Sequence, residues 1–304
     1  MDTLLVSLIA ATLRMSTTLV YGTLGELFCE RAGIMNLGNE GTMFFGAFVG
    51  FAVAKKTGSL FAGLIAAILA GILAGLLMAL LTVRLGVSQH VSGLGTTLIL
   101  IALSLFIFRL YFGNIAGVSP QITPFAELNP FGNTPILGQI FQQYLLTYVA
   151  FLLVPVVWWI FKRTRFGLHI RAVGENPEAA DAAGLNVYRL RTIALMIGGA
   201  LMAVGGAFLS LAQLGSFSLG IINGRGWVSV ALVIFANWEA FKVMGGALIF
   251  GGVNALQLRL QTTSLNLPYE LFLALPYIVT ILALVLFGRN VTGPAAILKP
   301  YKRE

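Results

Sequence analysis

The sequence predicts an all-α, polytopic transmembrane helical bundle of about 8 to 10 spans, broken or short helices among them. Three observations carry this. Apolar residues make up 58% of the 304 and charged residues only 10%, against about 25% charge in soluble domains. The apolar residues gather into long runs, and a run of about 20 crosses a bilayer core. The charges lie between the runs, where a chain that crosses repeatedly must put them.

In chain order, the apolar stretches near 4–24, 42–54, 60–83, 91–112, 144–161, 192–213, 217–236, 243–258 and 270–287 are the candidate spans. The first is expected to stay as a membrane helix: Asp2 replaces the basic start of a secretion signal, Arg14 interrupts the run and no A-x-A site follows. Those at 60–83 and 270–287 are unbroken. The stretches at 42–54 and 243–258 are short and glycine-rich, so they are expected as broken, tilted or re-entrant helices or as parts of longer elements. The loop 113–143 has four prolines, three asparagines and no basic residue, and reads as the main extracellular loop.

With nine spans, thirteen of the 19 lysines and arginines fall on the side of residues 162–191, and Lys55, Lys56, Arg225 and Arg259 fall on the other. Cytoplasmic loops carry the excess of basic residues. The C-terminus is therefore expected in the cytoplasm, and the net charge of +8 marks an inner membrane face and its lipid head groups rather than a nucleic-acid surface.

Several chemistries lack their residues. Cys29 is the single cysteine, and the two histidines, His90 and His169, lie far apart, so neither a disulfide scaffold nor a zinc motif is expected. None of the six lysines follows a glycine, so the G-x-x-x-x-G-K-[ST] phosphate loop is absent. No acidic residue interrupts the middle of an apolar stretch, which counts against a proton-coupled secondary transporter. Sodium sites built from carbonyls escape that test. An intramembrane enzyme would need paired carboxylates, metal ligands or a serine with a nearby histidine, and none is visible.

The segment 162–191 is too polar to cross. Within it Asn176 suits an N-cap, Pro177 the first helical position, Glu178 the positive end of the helix dipole and Gly184 a left-handed C-cap. A two-turn helix over about 177–183 follows, either a docking element or a solvated loop held to lipid by its arginines. A second region, 26–41, sets Asn36, Asn39 and Glu40 before an apolar stretch, with Gly38 and Gly41 allowing a sharp turn. A helix start there would present backbone N–H groups to a polar solute, or would only connect two spans. Gly224, Arg225, Gly226 and Trp227 suit a gate or an interface anchor. Gln89 and His90 sit at a span mouth, where an interfacial role is expected.

These segments resemble ATP-binding-cassette importer permeases of the ribose, branched-chain amino acid and nucleoside superfamily. Gly174, Asn176, Pro177, Ala179, Ala180, Ala183 and Gly184 match the family's G-x-N-P-x-A-A-x-x-A-G coupling loop. Gly25, Glu26, Glu30, Arg31, Gly33, Asn36, Leu37, Gly38, Glu40 and Gly41 match G-E-x-x-x-E-R-x-G-x-x-N-L-G-x-E-G. Gly224 to Trp227 and Val233 to Trp238 match G-R-G-W and V-I-F-x-x-W, and the end of the chain matches the L-P-Y span and proline-containing tail. Ala240 stands where a proline is usual and Thr97 where an asparagine is common.

The resemblance is to the shorter of two paralogous permeases in the nucleoside branch. It implies one transmembrane permease domain over 1–304, multi-pass in a bacterial-type cell membrane, with a coupling helix in 162–191. The coupling residues would be Gly174, Asn176, Pro177, Glu178, Ala179, Ala180, Asp181 and Gly184. The pathway candidates are Asn36, Asn39, Glu40, Thr96, Thr97, Asn223, Arg225 and Trp227. It implies no cofactor or metal in this chain, ATP and Mg being held by a separate cytoplasmic ATPase. The other partners are a second permease and an extracytoplasmic solute-binding lipoprotein. Charge confined to loops and span ends, with Arg14 and Arg109 the nearest to exceptions, favours a neutral solute. Nucleosides fit, with simple sugars or other ribosyl compounds as rivals.

Overall fold

The computed structural model describes residues 2–113, 120–132, 134, 136–261, 278 and 293–302; the predicted span at 270–287 lies outside the described residues, apart from Ile278. Among the described residues eleven helices run in the order α1 (Asp2–Arg31), α2 (Asn39–Thr57), α3 (Leu60–Ala79), α4 (Gln89–Phe112), α5 (Leu137–Ile140), α6 (Leu145–Arg163), α7 (Arg165–Glu175), α8 (Pro177–Ala182), α9 (Val187–Phe208), α10 (Arg225–Phe235) and α11 (Ala240–Gln261). Single π-turns extend α3 through Leu80–Arg84 and α9 through Leu209–Gln213. The described strands are β1 (Glu127–Leu128) and β2 (Gln143–Tyr144), an antiparallel pair of two residues each.

Among the described residues six helices are long and apolar enough to cross a membrane: α1, α3, α4, α6, α9 and α11, with α3 and α9 counted through their π-turns. Two glycine-rich stretches that look short in the sequence are longer in the structure. Residues 42–54 sit inside the 19-residue α2, whose polar ends hold Glu40, Lys55 and Lys56, and 243–258 sit inside the unbroken 22-residue α11. The reverse holds for 217–236. Only Arg225–Phe235 is helical, because Gly215, Asn223 and Gly224 adopt positive φ and break the run before it.

The most enclosed of the spans is α9, with 67% of its apolar window buried. Its small residues let neighbours approach backbone to backbone: Gly199 faces the Gly71 carbonyl of α3, Gly198 faces Gly25 of α1, and Gly206 lies against the Met43 carbonyl of α2. Lipid tails provide no hydrophobic drive between helices, so close contact of this kind holds them together. A phenylalanine cluster of Phe44, Phe48, Phe51, Phe108 and Phe217 fills the space beside α2, with centroids 5.1 to 6.5 Å apart.

The bundle has two chemically distinct ends. At one, Lys55 Nζ donates to the Gln121 carbonyl, Arg14 pairs with Glu127 at 2.8 Å, and Arg259 donates to Ser7. At the other, Arg31, Arg84, Lys162, Arg171, Arg191 and Lys242 gather around the ends of α1, α6 and α9 and the start of α11. The charge imbalance read from the sequence is thus an imbalance between the two ends.

Candidate functional site

The polar segment between α6 and α9 folds as two amphipathic helices. Thr164 starts α7 by accepting from the Gly167 N–H at 3.1 Å. Asn176 ends α7 and starts α8, its Oδ1 accepting from the Ala179 N–H at 2.9 Å, with Pro177 at the first helical position. Gly184 closes α8 in the left-handed region at φ 85°, where a side chain would be strained. Asn186 then caps α9 through the Arg189 N–H at 2.9 Å. Three caps are each set by a side chain within four residues, so the sequence alone specifies this segment.

Its surface is narrower than the motif implies. Glu178, Ala179, Ala182, Ala183 and Gly184 are exposed and form the face free to meet another protein. Two expected coupling residues turn inward instead. Ala180 is buried against Val173 and Val187. Gly174 is buried because it lies against the Arg31 carbonyl, leaving no room for a Cβ, while its own carbonyl accepts from the Ala296 N–H at 2.9 Å. Both residues join the short helices to the bundle.

That junction continues into the membrane. Arg191 of α9, 2% exposed, donates from Nε to the Ala32 carbonyl at 3.1 Å. Arg31 donates to the Trp238 carbonyl from Nε at 3.1 Å and Nη2 at 2.6 Å. Trp238 in turn donates from Nε1 to Glu30 at 2.6 Å. The Trp238 backbone has φ 55°, an unfavourable region for a bulky residue, and is held there by bonds at both its carbonyl and its ring.

The second site lies where the chain turns back after α1. Gly33 makes the turn at φ 82°, whereas Gly38 keeps an ordinary φ of −76°, so the sharp bend sits five residues before the expected one. Gly41 is needed for packing: a Cβ there would strike the Thr97 backbone of α4. Buried side chains then fasten residues 33 to 38. Gln89 accepts from the Met35 N–H at 2.8 Å and donates to the Gly33 carbonyl at 3.2 Å, so it is a buried strap rather than an interfacial residue. Glu26 accepts from the Asn36 N–H at 2.8 Å, Asn36 Oδ1 from the Gly38 N–H at 3.0 Å, and Thr97 donates to the Leu37 carbonyl at 3.0 Å. Thr97 thus serves the turn with a hydroxyl where an asparagine is common.

Glu40 performs the longest-range task. Its two oxygens accept from the Gly224 N–H at 2.9 Å and the Gly226 N–H at 2.7 Å, capping α10 from 184 residues away in sequence. Helix starts leave N–H groups unpaired, and Gly224 has no side chain to take them. Arg225 folds back onto the Ile221 and Ile222 carbonyls at 3.2 and 3.0 Å. Asn36, Asn39, Thr96 and Thr97 are buried, while Asn223 and Trp227 are exposed beside them. The structure therefore brings the pathway candidates together around the starts of α2 and α10; Asn36, Asn39 and Thr97 bond to backbone, the buried Thr96 hydroxyl has no partner among the described residues, and Asn223 and Trp227 are exposed.

The first span reaches beyond the apolar stretch 4–24, although among the described residues no carboxylate interrupts the middle of a span. Helix α1 runs on to Arg31, so Glu26 and Glu30 lie inside it, both 0% exposed. The signal was available: they sit four residues apart and continue the same helical run. His90 is exposed, and His169 is half-buried on α7.

A bundle of apolar spans, a capped helix pair at its basic end and two polar breaks within it suit a membrane permease. Residues 8–284 match the family described as branched-chain amino acid transport system / permease component. The chain belongs to that family, as a permease of ATP-binding-cassette transporters. It is 37% identical to the putative glucose ABC transporter permease protein TsgC13 of Haloferax volcanii, with 98% of each chain covered. It is 34% identical to the guanosine ABC transporter permease protein NupQ of Bacillus subtilis, covering 97% of this chain and 96% of that one. The nucleoside ABC transporter permease protein NupC of Lactococcus lactis is 35% identical, at 95% and 94% coverage.

Proposed function

We propose that this permease forms half of the pathway for a neutral nucleoside, coupled through α8 to a separate ATPase. The observation that supports coupling is the continuous linkage from α8 to the interior. The exposed face of Glu178, Ala179, Ala182 and Ala183 is anchored by Gly174 and Ala180, and Arg191, Arg31 and Trp238 carry contact onward to Glu30. A push on α8 is transmitted to the end of α1, four residues from Glu26 and the Asn36 turn. In this reading the ATP is hydrolysed by the ATPase, the basic end and the C-terminus face the cytoplasm, the second permease is a paralogue, and an extracytoplasmic lipoprotein delivers solute.

A neutral solute follows from where the charges go. Glu26, Glu30 and Glu40 accept from protein N–H groups, Arg31 and Arg191 donate to carbonyls, and Arg14 pairs with Glu127. Each of these groups has at least one protein partner, so none stands as a free counter-ion that would offset the desolvation of a charged solute. The two relatives named for guanosine and nucleosides support a nucleoside; the relative named for glucose supports a sugar as the second reading.

The test is uptake by the complex reconstituted with its ATPase, partner permease and binding protein, comparing guanosine, guanosine monophosphate and glucose. Guanosine transport is expected, with little of the monophosphate. Glucose uptake without guanosine uptake would select the second reading, and preference for the monophosphate would reject a neutral solute. Orientation is tested in a Cys29→Ser background: Ala183→Cys should label only from the cytoplasm and Asn129→Cys from outside. The structure favours position 183 over 180, because Ala180 is buried.

A further inference from the structure

At the basic end a small cleft, enclosing about 30 Å³, is lined by Arg31, Trp158, Lys162, Arg171, Trp238 and Glu239, among others. It lies between the ends of α1 and α6, helix α7 and the turn before α11. Three cations face it and one carboxylate. Glu239 is engaged by Lys242 at 3.4 Å and Lys162 at 4.0 Å. Arg31 feels the charge of Arg171 on one side and those of Glu175 and Glu239 on the other, but among the described residues neither arginine has a carboxylate within ion-pair distance. The Arg171 Nε is enclosed without a hydrogen-bond partner among the described residues. A buried N–H of a guanidinium left unbonded is costly, and three cations against one carboxylate around the cleft favour an anion.

The surroundings identify what kind. On α6 the exposed residues Val149, Leu152, Val156 and Trp159 form one stripe that ends at Lys162, and on α11 Phe241 and Ile249 are exposed. Phe241 packs on Trp158 of the cleft wall at 5.8 Å. These apolar stripes face lipid, and tryptophan and lysine at their ends mark the head-group zone. Basic pockets between spans at this depth suit lipid phosphates.

We propose that this cleft binds the phosphate of an anionic phospholipid, with Arg171 and Lys162 as its donors and the acyl chains lying along the α6 and α11 stripes. Arg31 already holds the Trp238 carbonyl, so a lipid here sits against the same turn that links α8 to α1.

The test uses the full chain purified in neutral detergent and titrated with phosphatidylglycerol or phosphatidylcholine, bound lipid being counted by native mass spectrometry. Phosphatidylglycerol should bind at least about tenfold tighter. Lys162→Gln, at a half-exposed position that folding tolerates, should weaken it about fivefold, and Lys162→Gln with Arg171→Gln about 30-fold. Arg163→Gln, an exposed charge outside the cleft, should change it less than about twofold. Equal binding of the two lipids, or wild-type binding by Lys162→Gln together with the double variant, would overturn the proposal. Saturable binding of inorganic phosphate without any preference between the lipids would assign the cleft to a free anion and overturn it equally.

Discussion

Helices α8 and α10 both begin after a polar turn, yet they are started in opposite ways. The α8 start is capped by Asn176, a neighbour in sequence, on the Ala179 N–H. The α10 start is capped by Glu40, which reaches across from α2 to the Gly224 and Gly226 N–H groups. A local cap makes α8 a self-specified unit that keeps its shape at the surface. A cap from another helix makes the start of α10 conditional on α2, so the two elements flanking the pathway candidates move together or come apart together.

The comparison can be broken most sharply at Glu40. Glu40→Ala leaves two backbone donors without their acceptor, and because hydrogen bonds to charged groups contribute about 1.5 to 3 kcal/mol each, a loss of about 3 kcal/mol is expected. Thermal unfolding of the purified chain measures it, and Glu40→Gln, which keeps one acceptor, should recover about half. If Glu40→Ala unfolds at the wild-type temperature, the α10 start is not conditional on α2.

Gly226→Ala attacks the same joint from the other side. A Cβ there would lie 2.5 Å from the Glu40 backbone nitrogen, and overpacking of this kind costs about 1 to 3 kcal/mol. Transport should fall more than stability, because the helices are pushed apart where the pathway candidates meet. Full transport by this variant would separate the joint from the pathway.

At α8 the expected effects are smaller and of another kind. Asn176→Ala should cost about 1 kcal/mol, the ordinary worth of an N-cap, with solute-stimulated ATPase activity of the assembled complex falling while the pathway joint stays intact. Glu178→Gln should change stability by no more than about 0.5 kcal/mol, since the group is exposed and its dipole interaction is screened. A collapse of coupling in Glu178→Gln alone would mean that charge rather than shape carries docking.

The same contrast explains which parts of the site were legible. Asn176, Pro177 and Gly184 could be read because each acts within four residues on a backbone group whose need is known in advance. The burial of Gly174 and Ala180 is not legible, because a small residue looks the same in sequence whether it faces outward or fills a contact. Glu26 and Glu30 were placed beyond the span because hydropathy marks where apolar residues stop, whereas a helix continues as long as its buried polar groups find partners. Theirs are Asn36, ten residues on, and Trp238, 208 residues on. The glycine at the α10 start was the available signal, since a helix without a capping side chain must be capped from elsewhere.

Composition and apolar periodicity by themselves determined that the chain is a helical membrane bundle, where most spans run, where the basic end lies and how α7 and α8 are punctuated. Those properties depend on transfer from water and on hydrogen bonds between near neighbours, both of which are written along the chain. Tertiary structure alone decided that 217–236 is helical only from Arg225, that α11 is unbroken, that two carboxylates are buried in α1, and that Glu40 caps α10. The placing of the carboxylates depends on a polar group finding a partner elsewhere in the fold, and in a membrane interior without water that partner can only be another part of the protein.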